Sequence, residues 1–313
     1  MENAGPGKRQ MALSEILVLT GLCLTGMLVF SAAALFLVSF LTGTAPDKLG
    51  SVIDPASAGE NGRIALLLMQ GIISTGSFVL APSLLRYLHK EQNPSPLLLR
   101  PNAALFALIG GLGLLMMPVN AWLSAWNQEI RLPSWLHGFQ SWAMSKEAEM
   151  EQLTNYLVQF SGWQEGLLGF LVIAVVAGVT EEFFFRQKLQ PALIRLTGNP
   201  HAGIWLTAFI FSAIHIQFYG LFPRMALGAL FGYYYFWTGN IRLSMLAHAF
   251  NNGLTLLGLI LYEQKISPLN VEDPAQIPWY FGAIAAGLVW SLARRMKEEA
   301  GKIHRHQTAK ERS

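Results

Sequence analysis

Long stretches without a single Asp, Glu, Lys or Arg constrain this chain more than any other feature of its sequence. Residues 16–40, 64–85 and 243–262 are three such stretches, and most of their side chains are apolar. An α-helix needs about 20 apolar residues to cross the roughly 30 Å hydrocarbon core of a bilayer. Only 13% of the whole chain is charged, against about 25% in a typical soluble domain. We therefore predict an all-α, polytopic integral membrane protein.

Charges and clusters of Gly, Pro and Asn divide the chain into about eight apolar segments, which we predict to be transmembrane helices. These segments are residues 16–41, 64–85, 103–123, 164–190, 202–222, 224–239, 242–262 and 276–293. The predicted organisation is an N-terminal tail at 1–15, three scaffold helices within 16–123, an amphipathic loop at 124–163, a five-helix region at 164–293 and a basic tail at 294–313.

Lys and Arg side chains resist translocation, so their distribution predicts the orientation of the helices. With eight spans, most of them fall in the tails and loops on the side of both termini. We therefore predict a multi-pass protein of the plasma membrane with both termini cytoplasmic and the 124–163 loop outside. The net charge of +3 is spread over loops, so no nucleic-acid partner is expected. The single cysteine, Cys23, excludes a disulfide framework.

Ionisable and amide side chains are concentrated in the second half of the predicted membrane region. A charged side chain near the bilayer centre costs about 3 kcal/mol on insertion scales, so such residues are functional candidates. The candidates lie in three segments: Glu181, Glu182 and Arg186 in the first, Phe211 and His215 in the second, and His248 and Asn252 in the third. We therefore predict that the first three helices form a scaffold and that the later helices carry the chemistry.

Helix geometry assigns different roles to the two adjacent glutamates. Arg186 lies about 40° around the helix from Glu182 and one turn along, but about 140° from Glu181. We therefore predict an ion pair between Glu182 and Arg186. Glu181 then projects to another face, next to a second carboxylate and among phenylalanines, where a carboxylate is suited to act as a general base.

The remaining polar residues favour hydrolysis. His248 and Asn252 are four residues apart and share one helix face, so together they are able to donate two hydrogen bonds to an oxyanion. Glu181 and His215 are suited to hold and deprotonate water. An intramembrane aspartyl pair is excluded because every Asp lies in a predicted outer loop, and no H-E-x-x-H or G-x-S-x-G motif occurs.

The motifs E-E-x-x-x-R at 181–186, F-x-x-x-H at 211–215 and H-x-x-x-N at 248–252 resemble those of the CAAX protease and bacteriocin-processing family (CPBP, also called Abi). The resemblance covers roughly residues 165–260, and the order and spacing of the three motifs make it specific. One departure is Gln187, where the family usually has Gly.

The resemblance implies an intramembrane endopeptidase of eight helices, with the catalytic region at 164–293. It implies that Glu181 activates water, that His215 helps to hold this water, and that His248 with Asn252 stabilises the oxyanion. Glu182 and Arg186 would support the site, and Phe211 belongs to the same motif as His215. The expected partners are the lipid bilayer and a peptide or protein substrate in or at the membrane, such as a lipidated or hydrophobic C-terminal segment.

Two questions stay open at the level of sequence. Glu181, His215 and His248 are an acceptable ligand set for a divalent metal such as zinc, and metal-free glutamate catalysis is the other possibility. The alternative to an enzyme is a non-enzymatic membrane protein, either a proton-coupled transporter or a catalytically silent immunity scaffold. No internal repeat of the kind common in transporters is visible.

Overall fold

The computed structural model describes residues 6–54, 59–84, 99–270, 273 and 277–312, and within them it contains helices and no strand. The main helices, numbered here in chain order, are α1 Pro6–Thr42, α2 Leu49–Ile53, α3 Glu60–Thr75, α4 Ala103–Gln128, α5 His137–Val158, α6 Trp163–Thr197, α7 Pro200–Ala213, α8 Leu221–Thr238, α9 Ile241–Glu263 and α10 Trp279–Arg312. The prediction of an all-α protein is therefore confirmed for the described residues.

Five helices are long and apolar enough to cross a membrane. They are Gly7–Thr42, Asn61–Leu84, Ala103–Gln128, Trp163–Thr197 and Ile241–Glu263. These helices coincide with the first four predicted segments and the seventh, so the prediction of a membrane protein is confirmed. The count of eight spans stays a prediction, and the loop with Arg86 and Lys90, which contributes to the predicted orientation, lies outside the described residues.

The fifth predicted segment, 202–222, is too long. Helix α7 ends at Ala213, and with 14 residues it is about 21 Å long. His215 therefore lies just past the end of this helix and not inside a span. Ile216 follows with a φ of 56°, a left-handed conformation that is rare for a β-branched residue and reverses the chain direction. The apolar run continues through this loop because Phe218 packs against Phe139 of α5, with ring centroids 5.7 Å apart.

Helix α6 contains two π-helical stretches, Phe170–Val176 and Phe183–Leu189, on either side of a regular turn at Ala177–Glu182. This middle turn carries Glu181 and Glu182. A π-helical turn is wider than an α-helical one and is frequently found at functional sites. The two glutamates are thus held between two irregular stretches of the same helix.

Small residues bring the helices around this turn close together. A Cβ atom on Gly178 of α6 would lie 2.8 Å from the backbone nitrogen of Ala249 on α9. A Cβ on Gly232 of α8 would lie 2.6 Å from Oε1 of Gln190. Such contacts let helix backbones approach one another inside membranes. They place α9 directly against the turn of α6 that carries the glutamates, and α8 against α6 at Gln190.

The N-terminal helices pack against the same part of α6. Leu19 and Cys23 of α1 and Phe78 after α3 form one buried cluster with Phe184 and Phe185 of α6. A second cluster joins α4, α8, α9 and α10.

The predicted tails are largely helical, because α1 begins at Pro6 and α10 continues to Arg312. The predicted domain boundaries otherwise stay a prediction.

Candidate active site

The structure brings the glutamates of α6 together with the histidine of α9. Nδ1 of His248 lies 3.0 Å from Oε1 of Glu182, and Nε2 of the same ring lies 3.8 Å from Oε2 of Glu181. The two nitrogens of His248 therefore face the two adjacent carboxylates, although the residues are 66 positions apart in sequence.

The proton on His248 follows from this geometry. A carboxylate is an acceptor only, so the Nδ1–H group of His248 donates to Glu182. Nε2 is then the nitrogen that faces Glu181. The 3.8 Å separation is too long for a direct hydrogen bond. Nε2 of His248 and the carboxylate of Glu181 therefore do not bond each other, and each remains available for a hydrogen bond to another group.

Arg186 and Glu182 form the ion pair that the helical spacing predicts. Nε of Arg186 lies 3.1 Å from Oε2 of Glu182, and both side chains are fully buried. The guanidinium packs against two aromatic rings, with its central carbon 4.9 Å from the ring centre of Phe211 and 5.9 Å from that of Phe185. These rings shield the pair from solvent, so Glu182 is a supporting group with its charge balanced by Arg186.

The two glutamates also differ in the solvent exposure of their side chains. The side chain of Glu181 is 16% exposed, whereas that of Glu182 is 0% exposed. Glu181 is thus the carboxylate that is able to reach water or a substrate.

The ring of Phe211 contacts the rings of both histidines. Its ring centre lies 5.2 Å from that of His215 and 5.8 Å from that of His248. Phe231 of α8 stacks on the other side of His248 at 5.0 Å. These rings fix the His248 imidazole in the plane that its hydrogen bond with Glu182 requires.

His215 is fixed by its own helix end. Its Nδ1 lies 2.8 Å from the carbonyl oxygen of Phe211, and because a carbonyl only accepts, Nδ1 carries the proton. Nε2 of the neutral ring is therefore an acceptor. Both histidines thus have a fixed orientation on either side of Phe211, and Nε2 of His248 faces Glu181.

Asn252 lies one turn after His248 on α9, as the spacing predicts, but its amide is engaged elsewhere. Nδ2 donates a hydrogen bond of 3.1 Å to the carbonyl of Ile173, within the first π-helical stretch of α6. An amide nitrogen has two N–H groups, so one donor remains. The neighbouring Asn251 projects about 100° away from Asn252 around the helix and is buried at 9% exposure.

Three polar residues near the site were missed from the sequence. Arg224, the first residue of the predicted segment 224–239, interacts electrostatically with both Glu181 and Glu147. Its Nη2 donates to Oε1 of Gln217 at 2.6 Å. The only signal in the sequence is an arginine at the first residue of a predicted span. An arginine at that position also occurs at an ordinary span boundary, so it does not indicate a functional residue.

Glu181, His215 and His248 are the possible metal ligands in this region. Among the residues that the structure describes, no three His, Cys, Asp or Glu side chains are arranged to hold a metal ion. Glu181, His215 and His248 therefore do not fit a three-ligand zinc site in this arrangement.

Comparison with known proteins agrees with the resemblance. Residues 163–254 match the model of a family described as Rce1-like, type II CAAX prenyl endopeptidase Rce1-like. No curated protein and no solved structure matches the chain significantly. The matched segment contains all three motifs on which the resemblance depends. The resemblance is therefore confirmed for residues 163–254, which are similar to the Rce1-like type II CAAX prenyl endopeptidase family.

Proposed function

We propose that this protein is an intramembrane endopeptidase that hydrolyses a peptide bond of a membrane-associated or lipidated substrate with water activated by Glu181. The observation that carries the proposal is the position of His248 between two carboxylates, only one of which is partly exposed. This arrangement combines a free base with an oriented imidazole. A general base and an oriented donor are the two groups that peptide hydrolysis needs.

In the first step, the carboxylate of Glu181 takes a proton from a water molecule while the water oxygen attacks the peptide carbonyl. Nε2 of His215 accepts a hydrogen bond from the same water and helps to orient it. A new carbon–oxygen bond forms, and the carbonyl oxygen becomes an oxyanion. In the second step, Glu181 returns the proton to the nitrogen of the leaving amine as the carbon–nitrogen bond breaks.

His248 and Asn252 act on the oxyanion. Glu182 accepts the Nδ1–H of His248 at 3.0 Å and thereby orients the ring. When Nε2 of that ring also carries a proton, it donates one hydrogen bond to the oxyanion, and the remaining N–H of Asn252 donates the second. Arg186 holds Glu182 in place from its other oxygen, at 3.1 Å.

The substrate reaches the site from the membrane. Five apolar helices hold the protein in the bilayer, so a substrate held by a lipid or an apolar segment is concentrated beside the site. We also propose the cytoplasmic termini, the plasma-membrane location and the domain boundaries predicted from the sequence.

The experiment is cleavage of a peptide library by the full chain in detergent. Mass spectrometry of the products with the parent and with Glu181→Gln identifies the cleaved bonds. We expect products from the parent and none from Glu181→Gln, because the substitution keeps the shape of the side chain and removes its basic oxygen. Products of equal amount from both proteins would exclude Glu181 as the base. No product from either protein would favour the non-enzymatic alternative.

A further inference from the structure

The last helix, α10, carries a row of basic side chains that the proposed catalytic site does not use. Its three members, called here the basic stripe, are exposed and are Arg294, Lys297 and Arg305. They are separated by three and by eight residues, so they lie on one face of the helix. Met296 and Ala300, on the opposite face, are buried against α4. The stripe therefore faces away from the protein core.

Contacts with α4 give the level of the stripe relative to the membrane. Nδ2 of Asn102, the residue before α4, donates to Oε1 of Glu299 at 2.8 Å. Helix α4 is long and apolar enough to cross a membrane, so Glu299 lies where α4 enters the bilayer. At 1.5 Å per residue, Arg294 lies about 8 Å to one side of Glu299 and Arg305 about 9 Å to the other. The headgroup layer is about 5–8 Å thick, so the stripe lies at the level of the headgroups.

The arginines of the stripe reach back toward the bilayer. The central guanidinium carbon of Arg294 lies 4.9 Å from the ring centre of Trp290, one turn earlier. Nη1 of Arg305 would lie 3.8 Å from a Cβ on Gly301, also one turn earlier. Side chains of a helix lean toward its N-terminal end. In α10 this end carries exposed apolar side chains, which are Trp279, Tyr280, Phe281, Ile284, Leu288 and Trp290.

The charges of the stripe are not neutralised within the protein. None of its three cations forms an ion pair with another described residue, whereas the nearby Lys302 pairs with Glu299 at 3.3 Å. Together with Gly301, Lys302 and the acidic Glu298, the stripe lines a surface groove. Guanidinium and ammonium groups are the side-chain groups that bind phosphate. The groove is thus a positively charged surface beside an apolar one.

We propose that the basic stripe binds the phosphate groups of anionic phospholipids and thereby fastens α10 to the membrane surface. A lipid fits better than a soluble acidic partner, because the stripe continues the exposed apolar surface that ends at Trp290. Tryptophan is enriched at the membrane interface, and each Lys or Arg near an anionic membrane strengthens binding about 5-fold. The proposal goes beyond the proposed function and does not depend on peptide hydrolysis.

The test measures which lipid the full-length protein retains. The parent in uncharged detergent is incubated with an equimolar mixture of phosphatidylglycerol and phosphatidylcholine with the same acyl chains. Native mass spectrometry gives the ratio of the two lipids that stay bound. We expect a preference for phosphatidylglycerol in the parent. The triple variant Arg294→Gln, Lys297→Gln and Arg305→Gln should lower the ratio at least about 10-fold.

Two further variants assign the preference to the stripe. The control triple variant Lys8→Gln, Arg9→Gln and Arg242→Gln removes three exposed charges from other helices on the same predicted side, and it should keep the parental ratio. Glu298→Gln removes the acidic side chain beside the stripe and should raise the ratio. If the stripe variant does not fold, Arg294→Gln alone should lower the ratio about 5-fold.

A competitor separates a lipid from a soluble anion. Glycerol 3-phosphate, which has the phosphate but no acyl chains, should not displace phosphatidylglycerol at equal concentration. Equal displacement would overturn the proposal of a lipid surface. A ratio near 1 in the parent, including retention of neither lipid, would overturn it as well. So would a parental ratio in a folded stripe variant, because the preference would then come from other cations.

Discussion

At the scale of single residues, the proposal assigns Asn252 to the oxyanion and leaves Asn251 outside the reaction. Asn252→Ala should lower kcat about 100-fold to 1,000-fold with little change in KM, because the charge that it stabilises exists only in the transition state. Steady-state kinetics with a cleaved peptide measures both constants.

Asn251→Ala is the control for this substitution. It should keep kcat near the parental value, although the side chain is buried and its loss lowers the melting temperature. Equal losses of kcat in the two variants would contradict the assignment of the oxyanion donor to Asn252.

Arg186 is a residue whose replacement should affect both stability and activity. Arg186→Ala leaves the carboxylate of Glu182 buried without its partner, a change that costs about 3–5 kcal/mol in buried ion pairs. We expect a lower melting temperature together with lost cleavage. Arg195→Ala is the control on the same helix, since Arg195 pairs with Glu15 at the surface and exposed pairs contribute about 0–1 kcal/mol. A parental melting temperature for Arg186→Ala would remove the ion-pair assignment.

Glu147 gives the protein a pH dependence outside the membrane helices. Burial raises the pKa of its carboxyl above the ordinary value of 4.5, and Glu151 adds to this, while the backbone N–H of Tyr219 and the charge of Arg224 oppose it. A raised pKa means that folding favours the protonated form. Its contribution to stability is therefore complete below pH 4.5 and is lost as the pH rises through the folded pKa.

Glu147→Gln should remove this contribution to the pH dependence. Melting temperatures measured from about pH 4 to pH 7 should decline more steeply in the parent than in the variant. Parallel curves for the two proteins would show that the carboxyl of Glu147 does not titrate differently in the folded state.

At the scale of helices, a second buried ion pair fastens α3 to the start of α6. Nε of Arg63 lies 2.5 Å from Oε1 of Glu165, with side-chain exposures of 7% and 4%, and Nη2 of Arg63 donates to Ser161 at 3.1 Å. Arg63→Ala should destabilise the protein by about 3–5 kcal/mol. Thermal unfolding in detergent measures the change.

The exposed pair of Lys146 and Glu149 on α5 is the control, because its side chains are 37% and 50% exposed. Lys146→Ala should change stability by less than about 1 kcal/mol. If both substitutions had the same small effect, the pair of Arg63 and Glu165 would not hold α3 to α6.

Helix positions were predictable from the sequence where an apolar run ends at charges or turn residues. The seventh predicted segment, 242–262, matches α9 at Ile241–Glu263 within one residue at each end, and Asn240 caps this helix through its side chain. The end of α7 was not predictable, because the loop after Ala213 is as apolar as the helix. The π-helical stretches of α6 contact α9, and no pattern in the sequence predicts them.

The site was predictable only in part, for a related reason. The spacing of four residues predicts the ion pair between Glu182 and Arg186, because both residues lie on one helix. The contact of His248 with Glu182 joins two helices, so it depends on how α6 and α9 pack. No spacing in the sequence predicts that Arg224 interacts with Glu181 or Glu147, because the three residues lie on different helices.

At the scale of the whole molecule, the scaffold and the site form one unit. The cluster of α1, α3, α6 and α7 side chains surrounds the phenylalanines next to Arg186, and α8 and α9 close on the other face of α6. The proposed site therefore depends on helices from both halves of the chain, so its activity is to be measured on the intact protein.

The most direct measurement of the central claim is the rate of peptide cleavage by purified Glu181→Gln relative to the parent, at matched melting temperatures. General-base catalysis contributes about 100-fold to 10,000-fold, and we predict a loss of at least the lower value. A variant that is folded and cleaves at the parental rate would contradict the account.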